Sequence, residues 1–248
     1  MTYRYPHFHS RLVIDDLRFR GGPGPGHAMP DFDLPTVDGG RISRSDFIGH
    51  KPLLLTMGSV TCPMTAAANP ALKRLHRQFG NRVGFVTLYV REAHPGDRYP
   101  QPDTMQRKTA HARELKERDE LPWTVAVDDL DGTLHQQLDA KPNAAYVMDV
   151  DGGVAFRLLW SDDREGILRA ALRDVLARRQ PDIQHQGHMV PIWRGIAEMD
   201  RMLTASGPTA RRDVRRAAPP LYAMARMLGL VEQRREKTPP ERTRHTVT

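Results

Sequence analysis

The residue type best suited to nucleophilic chemistry occurs once, as Cys62, in this chain of 248 residues. Cys62 follows the apolar run 53–57 and precedes Pro63, which places it at the predicted junction between a strand and a helix. A helix N-terminus presents unpaired N–H groups and the positive end of its dipole, and both stabilise a thiolate, the nucleophilic form of cysteine. The alternative is an inert buried thiol, which is what most free cysteines are. This segment alone leaves both interpretations open.

Four further polar side chains are candidates for the same site. Thr61 and Ser59, just before the cysteine, offer hydroxyl hydrogen bonds to a thiolate or to an oxygen under attack. Their alternative role is capping of the following helix. His94 follows the predicted strand 83–90, at the sheet end where α/β proteins place their ligands, and could accept the thiol proton or protonate a leaving group. Glu92 either orients His94 or faces solvent.

The elements that must position these residues follow from hydrophobic periodicity. A hairpin is predicted within 31–48, residues 11–14 are predicted as a short strand, and Pro70 predicts a kink or break in the first long helix. The remaining pattern predicts strands at 53–57, 83–90, 123–127, 144–150 and 154–160, and helices at 63–79, 104–119, 133–138, 162–179, 191–204 and 209–230.

The connections between these elements predict a mixed sheet. A helical crossover joins strands 53–57 and 83–90 and requires parallel pairing, whereas the tight turn at 151–153 requires an antiparallel pair. We therefore predict an α/β fold with helices flanking a mixed central sheet. The predicted division is an N-terminal segment and Gly/Pro linker (1–26), a main domain (27–182), a helical extension (183–232) and a basic, disordered tail (233–248).

Composition and charge limit the function classes. A single cysteine excludes an intramolecular disulfide, and the chain shows neither an apolar run long enough for a membrane helix nor a signal-peptide core, so we expect a cytoplasmic protein. Of the net charge of +7, residues 211–248 carry +6, from ten Lys or Arg and four Asp or Glu. Nucleic-acid binding by this basic tail is disfavoured, because no aromatic and basic residues alternate there and no reader motif is present.

Two short segments resemble the redoxin group of thioredoxin-fold proteins, which includes peroxiredoxins and, closest to this chain, bacterial iodothyronine deiodinase-like proteins. Segment 58–63 (GSVTCP) is similar to the deiodinase active-site segment, with Cys62 where those enzymes carry selenocysteine. Segment 92–95 (EAHP) is similar to their second segment, whose histidine serves in catalysis. The resemblance covers about 31–180, implies a thioredoxin-like fold, and favours a nucleophilic Cys62 over an inert one.

Several positions depart from the redoxin pattern. Leu55 stands where peroxiredoxins usually carry a proline, and Asn143 stands where they carry an arginine before a late strand. Arg91 or Arg157 could replace that arginine if either reached the cysteine. Pro142 corresponds to the cis-proline that thioredoxin folds place opposite the active site, which predicts a cis peptide bond there.

The resemblance implies a single-cysteine thiol oxidoreductase that reduces a peroxide or similar electrophile through the Cys62 thiolate. A thiol reductant from outside the chain, either thioredoxin or a low-molecular-weight thiol, must restore the enzyme, unless two subunits couple through Cys62 in a homodimer. The alternatives are a deiodinase-like reductive dehalogenase and a catalytically inactive redoxin-fold protein that binds a partner. No cofactor or metal is predicted, since the pairs at 7/9 and 185/188 lack a third ligand.

Overall fold

The computed structural model describes residues 3–163, 165–182 and 189–237. The elements are, in order, helix α1 (Ser10–Asp15), strands β1 (Asp33–Pro35), β2 (Arg41–Ser43) and β3 (Leu53–Gly58), helix α2 (Pro63–Phe79), strand β4 (Gly84–Tyr89), helix α3 (Met105–Arg118), strand β5 (Thr124–Val127), helix α4 (Thr133–Gln137), strands β6 (Ala145–Met148) and β7 (Val154–Leu158), and helices α5 (Ile167–Leu176), α6 (Met189–Ser206), α7 (Pro208–Ala217) and α8 (Pro219–Lys237).

Five strands form the central sheet in the order β5-β4-β3-β6-β7. Strands β3, β4 and β5 pair in parallel, whereas β6 pairs antiparallel with both β3 and β7. This arrangement confirms the predicted thioredoxin-like mixed sheet, and the separate antiparallel pair β1–β2 confirms the N-terminal hairpin. Gly58 and Tyr89 form the last residue pair of β3 and β4. The loops that follow these two strands therefore leave the same end of the sheet side by side.

Both faces of the sheet are covered, which explains why all six residues of β3 are buried. Leu54 packs on one face with apolar side chains of α2, α3 and α5. Leu53 and Leu55 pack on the other face with residues of the β1–β2 region and α4. Strand β3 is thereby fixed on both sides, and so is the start of the loop that carries Cys62.

The N-terminal segment and the C-terminal helices share a third apolar cluster. Tyr5, Phe8 and Leu12 pack there against side chains of α6, α7 and α8. Helix α6 also lies along α2, the helix that begins after Cys62. The prediction of a strand at 11–14 was wrong, because Leu12 is buried through helical geometry in α1, and these tertiary contacts override the β-propensity of the neighbouring valine and isoleucine.

Three further differences from prediction involve prolines. The helix predicted at 209–230 is two helices, α7 and α8, separated at Ala218, since the residue before a proline disfavours the helical conformation. Helix α2 runs without interruption through Pro70, so the predicted break does not occur. The peptide bond before Pro142 is trans, which corrects the predicted cis bond.

Helix α8 continues to Lys237, into the segment predicted as a disordered tail. The rest of that tail, 238–248, and the histidine pair at 185/188 lie outside the described residues. Over the ranges the structure does describe, none of the helices combines the length and apolar character needed to cross a membrane.

Candidate active site

Cys62 occupies the N-cap position of α2, and Pro63 is the first helical residue. A proline suits that position because its missing N–H would have no helical partner there. The Cys62 side chain is buried, with 1% of its surface exposed. Burial raises the pKa of the Cys62 thiol, although the Thr65 hydroxyl and the N–H groups of Thr65 and Met64 act in the opposite direction. The closed site therefore holds the protonated thiol rather than the thiolate.

Hydrogen bonds join the loop before Cys62 to the loop that follows β4. The backbone N–H of Ala93 donates to the Ser59 hydroxyl at 3.2 Å, and the N–H of His94 donates to the Thr61 hydroxyl oxygen at 3.2 Å. The sequence-predicted residues Ser59, Thr61, Cys62, Glu92 and His94 thus belong to one pair of adjoining loops. Their meeting follows from the parallel register of β3 and β4.

The carboxylate of Glu92 is completely buried and connects these loops to two further side chains. One oxygen accepts hydrogen bonds from the Thr61 hydroxyl at 2.7 Å and the Thr61 N–H at 3.3 Å. The other accepts from the Tyr89 hydroxyl and lies 3.1 Å from His111 Nδ1. The alternative that Glu92 faces solvent is therefore wrong. Its link to His94 runs through Thr61, which donates to Glu92 and accepts from the His94 backbone.

Two members of this network, Tyr89 and His111, were missed by the sequence analysis. Tyr89 is the last residue of β4, where burial and the neighbouring carboxylate of Glu92 raise the pKa of its phenol well above the usual range. A tyrosine in an otherwise apolar buried run requires a partner for its hydroxyl, and that requirement was the available signal. His111 lies on α3 among charged residues, and its sequence context gave no indication of contact with Glu92.

His94 is buried against the N-terminal segment. Its ring lies 4.5 Å, centroid to centroid, from the ring of Phe8. Its Nδ1 atom is buried and has no hydrogen-bond partner among the described residues. Burial lowers the pKa of His94 to about 4, so the imidazole is neutral at pH 7.

Cys62 and His94 line the same cavity, which has a volume of about 150 Å³. The walls come from five parts of the chain: the N-terminal segment through α1, the two loops that carry the cysteine and histidine, the first turn of α2, the residues flanking the β6–β7 pair, and the helices α6 and α8. The other lining residues are Tyr5, Phe8, Val13, Asp16, Leu17, Pro63, Met64, Ala93, Pro142, Trp160, Ile192, Gly195, Ile196, Met199 and Leu221.

None of the described residues that line this cavity is an arginine. Arg91 donates to the Tyr3 carbonyl at 2.9 Å, and Arg157 donates to the Gly21 carbonyl at 2.8 Å. The position of the usual peroxiredoxin arginine is taken by Asn143, whose amide donates to the Met57 carbonyl at 3.2 Å.

Arg118 on α3, which no sequence pattern indicated, contacts the cysteine loop. It donates to the Val60 carbonyl at 2.7 Å and is paired with Asp119.

Of the histidine pair at 7/9, His7 lies 2.8 Å from the carboxylate of Asp213. Within the described ranges, no three His, Cys, Asp or Glu side chains gather as a metal site.

Comparison with known proteins places the site in a family context. Residues 11–153, more than half of the chain, match the family model described as Iodothyronine deiodinase. Type II iodothyronine deiodinase of Sus scrofa is 28% identical over 160 residues, which cover 59% of this chain and 54% of that protein. Thyroxine 5-deiodinase of Aquarana catesbeiana is 35% identical over 88 residues, which cover 35% of this chain and 33% of that protein. The chain thus spans about half, or less, of these curated relatives.

Solved structures resemble the chain in fold. An uncharacterized conserved protein from Geobacillus kaustophilus superposes with a TM-score of 0.54 at 19% identity, covering 68% of this chain and 89% of its own. A hypothetical protein from Sinorhizobium meliloti gives a TM-score of 0.51 at 17% identity, covering 67% and 91%. These similarities agree with the thioredoxin-like sheet described above.

Proposed function

Because the chain belongs to the iodothyronine deiodinase family, we propose that it is a thiol-dependent oxidoreductase that removes a halogen from an aromatic compound through Cys62. The observation that carries the proposal is the apolar cavity shared by Cys62 and His94 at the N-terminus of α2. The names of the relatives refer to iodothyronines and thyroxine, so iodinated aromatic compounds are the substrate class of choice.

The proposed first step is attack of the Cys62 thiolate on the halogen. A sulfur–iodine bond forms, the carbon–iodine bond breaks, and the ring carbon keeps the electron pair and takes a proton. The carbon is thereby reduced and the sulfur oxidised. His94, neutral at pH 7, is the proposed acceptor of the thiol proton and its donor to carbon. Because burial favours the protonated thiol, we place thiolate formation in an opened state in which the N-terminal segment no longer covers the cavity.

The second half of the cycle needs an outside thiol, since the chain has no other cysteine. One thiol displaces iodide from sulfur and forms a mixed disulfide with Cys62, releasing a proton. A second thiol then releases Cys62 and leaves as the disulfide. Thioredoxin or a low-molecular-weight thiol of the cytoplasm would serve. Coupling of two Cys62 residues in a homodimer is the alternative, and it too requires the cavity to open.

Thr61, Ser59 and Glu92 are proposed as positioning residues. Glu92 accepts from Thr61 on one loop, while Thr61 and Ser59 accept backbone hydrogen bonds from residues 93–94 of the other. Side chains held by buried hydrogen bonds keep catalytic groups in one geometry. Their role is thus to hold Cys62 and His94 at a fixed separation.

Two other functions were predicted, and each has one observation in its favour. Peroxide reduction is favoured by the thioredoxin-like sheet with a single cysteine at its first strand–helix junction, although no arginine lines the cavity to bind a peroxide. A catalytically inactive, partner-binding protein is favoured by the raised pKa of the buried Cys62 thiol.

The deciding experiment measures iodide release from 4-iodophenol and thyroxine with dithiothreitol as reductant, alongside loss of cumene hydroperoxide. Dehalogenation predicts iodide release that is abolished in Cys62→Ser and retained in Ser45→Ala, an exposed hydroxyl control. Hydroperoxide loss without iodide release would replace dehalogenation by peroxide reduction. Inactivity toward both classes would contradict the enzyme proposal and leave the partner-binding alternative.

A further inference from the structure

We propose that Asp16 selects the charge of the ligand that binds beside Cys62, favouring an aromatic compound with a cationic amine over its neutral and anionic counterparts. No sequence pattern indicated this residue, which lies at the end of α1. Selection by charge does not depend on what the cysteine does to the ligand. The presence of a halogen on the ring, by contrast, rests on the proposed function.

Asp16 lies where the cavity beside Cys62 opens to solvent. It lines the cavity together with the next residue, Leu17, whose surface is 53% exposed. Asp16 itself is partly exposed, and its carboxylate has neither a hydrogen bond nor an ion pair among the described residues. A ligand in this cavity therefore has an unpaired carboxylate close to the opening, where a polar group of the ligand can keep part of its water.

Among the described residues that line the cavity, Asp16 alone carries a charge at pH 8. The other ionisable lining residues are Tyr5, Cys62 and His94. Burial raises the pKa of Tyr5 and of the Cys62 thiol, and burial also keeps the His94 imidazole neutral. A single negative charge beside apolar walls attracts a cation and repels an anion more strongly than it would in water. The cavity therefore favours an apolar compound with a positive group.

The charge of Asp16 does not stabilise the fold. Its backbone N–H donates to the Leu12 carbonyl at 3.0 Å and so ends α1, where the helix dipole disfavours a negative charge. Burial raises the pKa of Asp16 to about 7, which means that ionisation of this carboxyl is unfavourable in the folded protein. An unpaired carboxylate that is costly to keep beside a cavity is typical of a functional residue. A bound cation would offset that cost.

The surroundings of Asp16 set the pH range in which selection operates. Its other charged neighbours line a second, polar cavity and are Asp15, Arg20, Arg91, Asp139 and Lys141. The two nearest bases, Arg91 and Lys141, lower the pKa of Asp16, but burial outweighs them. Selection for a cation should therefore increase as the pH rises through 7.

Ligand charge and thiol reactivity are linked through Asp16. Burial is the main reason for the raised pKa of the Cys62 thiol, and the carboxylate of Asp16 raises it further. An ammonium group bound at Asp16 would compensate that second effect. A cationic ligand would thus lower the cost of forming the thiolate, whereas an anionic ligand would increase it.

Binding can be measured without turnover by titrating Cys62→Ser protein calorimetrically at pH 8 with three one-ring probes. We expect 4-iodobenzylamine to bind about tenfold more tightly than 4-iodobenzyl alcohol, and 4-iodophenylacetate to bind more weakly than the alcohol. Asp16→Asn in the same background should remove the preference for the amine. Asp15→Asn is the matched control, because Asp15 pairs with Arg20 at 2.8 Å and lines only the second cavity.

A pH comparison keeps the proposal testable if Asp16→Asn does not fold. Between pH 8 and pH 5.5 Asp16 loses its charge while the amine keeps its own, so the preference should fall below about threefold. A tenfold preference that survives Asp16→Asn or pH 5.5 would overturn the proposal, as would failure of the amine to bind. Charge selection without iodide release would contradict only the proposed dehalogenation. Iodide release with equal affinity for amine and alcohol would contradict only the role of Asp16.

Discussion

At the scale of single residues, the site depends on one buried carboxylate. Glu92 accepts hydrogen bonds from Thr61 and Tyr89 and lies beside His111, so it joins the cysteine loop, the end of β4 and helix α3. A buried charge is tolerated only when such partners replace the water it has lost. Any change at Glu92 should therefore affect stability and site geometry together.

Glu92→Gln should lower the free energy of unfolding by about 1.5–3 kcal/mol, because one acceptor oxygen becomes a donor facing a hydroxyl that needs an acceptor. Urea denaturation measures this directly. Glu120→Gln is the control, since Glu120 is exposed and should change stability by less than about 0.5 kcal/mol. Equal free energies of unfolding for the Glu92 and Glu120 variants would show that the hydrogen bonds of Glu92 do not stabilise the fold.

His94 predicts a loss of stability in mild acid. Its pKa is about 4 in the folded protein against an ordinary 6.5, so the unfolded chain binds a proton first as the pH falls. The stabilisation is complete above pH 6.5 and is lost between pH 6.5 and 4. The resulting loss of unfolding free energy between pH 8 and pH 5 is about 2 kcal/mol.

Urea unfolding at pH 8 and pH 5 tests the His94 prediction. From pH 8 to pH 5, the free energy of unfolding should fall by about 2 kcal/mol less in His94→Gln than in the parent protein. In His50→Gln, the exposed control, it should fall by as much as in the parent. If His94→Gln and the parent lost the same amount, the buried neutral imidazole would be disproved.

The sequence could predict the five candidate residues but not all of their surroundings. Ser59, Thr61, Cys62, Glu92 and His94 meet because two neighbouring strands end at one register pair, and strand order follows from helical crossovers. Tyr89 and His111 were missed because contacts between a strand end and a helix face depend on packing distances that periodicity does not contain. The buried environment that raises the thiol pKa comes from segments distant in sequence.

At the scale of elements, the N-terminal segment is the main feature that the sequence did not predict as part of the site. Tyr5 and Phe8 line the cavity, and Phe8 packs on His94. Their stretch of chain is short, mostly polar and without periodicity, so no local pattern indicates burial. The contact forms because α6, α7 and α8 supply an apolar surface beside the site.

Phe8→Ala should speed alkylation of Cys62 by iodoacetamide about 5- to 30-fold at pH 8. The truncation weakens the packing of the N-terminal segment, and a loss of one or two kcal/mol raises an open population 5- to 30-fold. Phe19→Ala is the matched control: Phe19 belongs to the same part of the chain but packs against Tyr146 and Arg157. Unchanged alkylation in Phe8→Ala, or equal acceleration in both variants, would argue against a cover formed by this segment.

At the scale of the whole molecule, α6 links the C-terminal helices to the site. Gly195 of α6 approaches Met64 of α2 so closely that an added Cβ would lie 1.9 Å from the methionine sulfur. The buried carboxylate of Asp200, also on α6, is 3.3 Å from Arg211 of α7 and 3.2 Å from Arg226 of α8. One charge thus holds three helices, and those helices hold the N-terminal segment over Cys62.

Asp200→Ala should therefore act at a distance, lowering the free energy of unfolding by about 2 kcal/mol and also speeding Cys62 alkylation severalfold. The energy is below the usual 3–5 kcal/mol for a broken buried pair, because both arginines are partly exposed and regain water. Glu198→Ala is the matched control, since Glu198 pairs only with Arg201 of the same helix in the described contacts. Lower stability with unchanged alkylation would mean that the C-terminal helices stabilise the fold without controlling access to the cysteine. Faster alkylation in Asp200→Ala but not in Glu198→Ala would support opening of the N-terminal segment together with the three C-terminal helices.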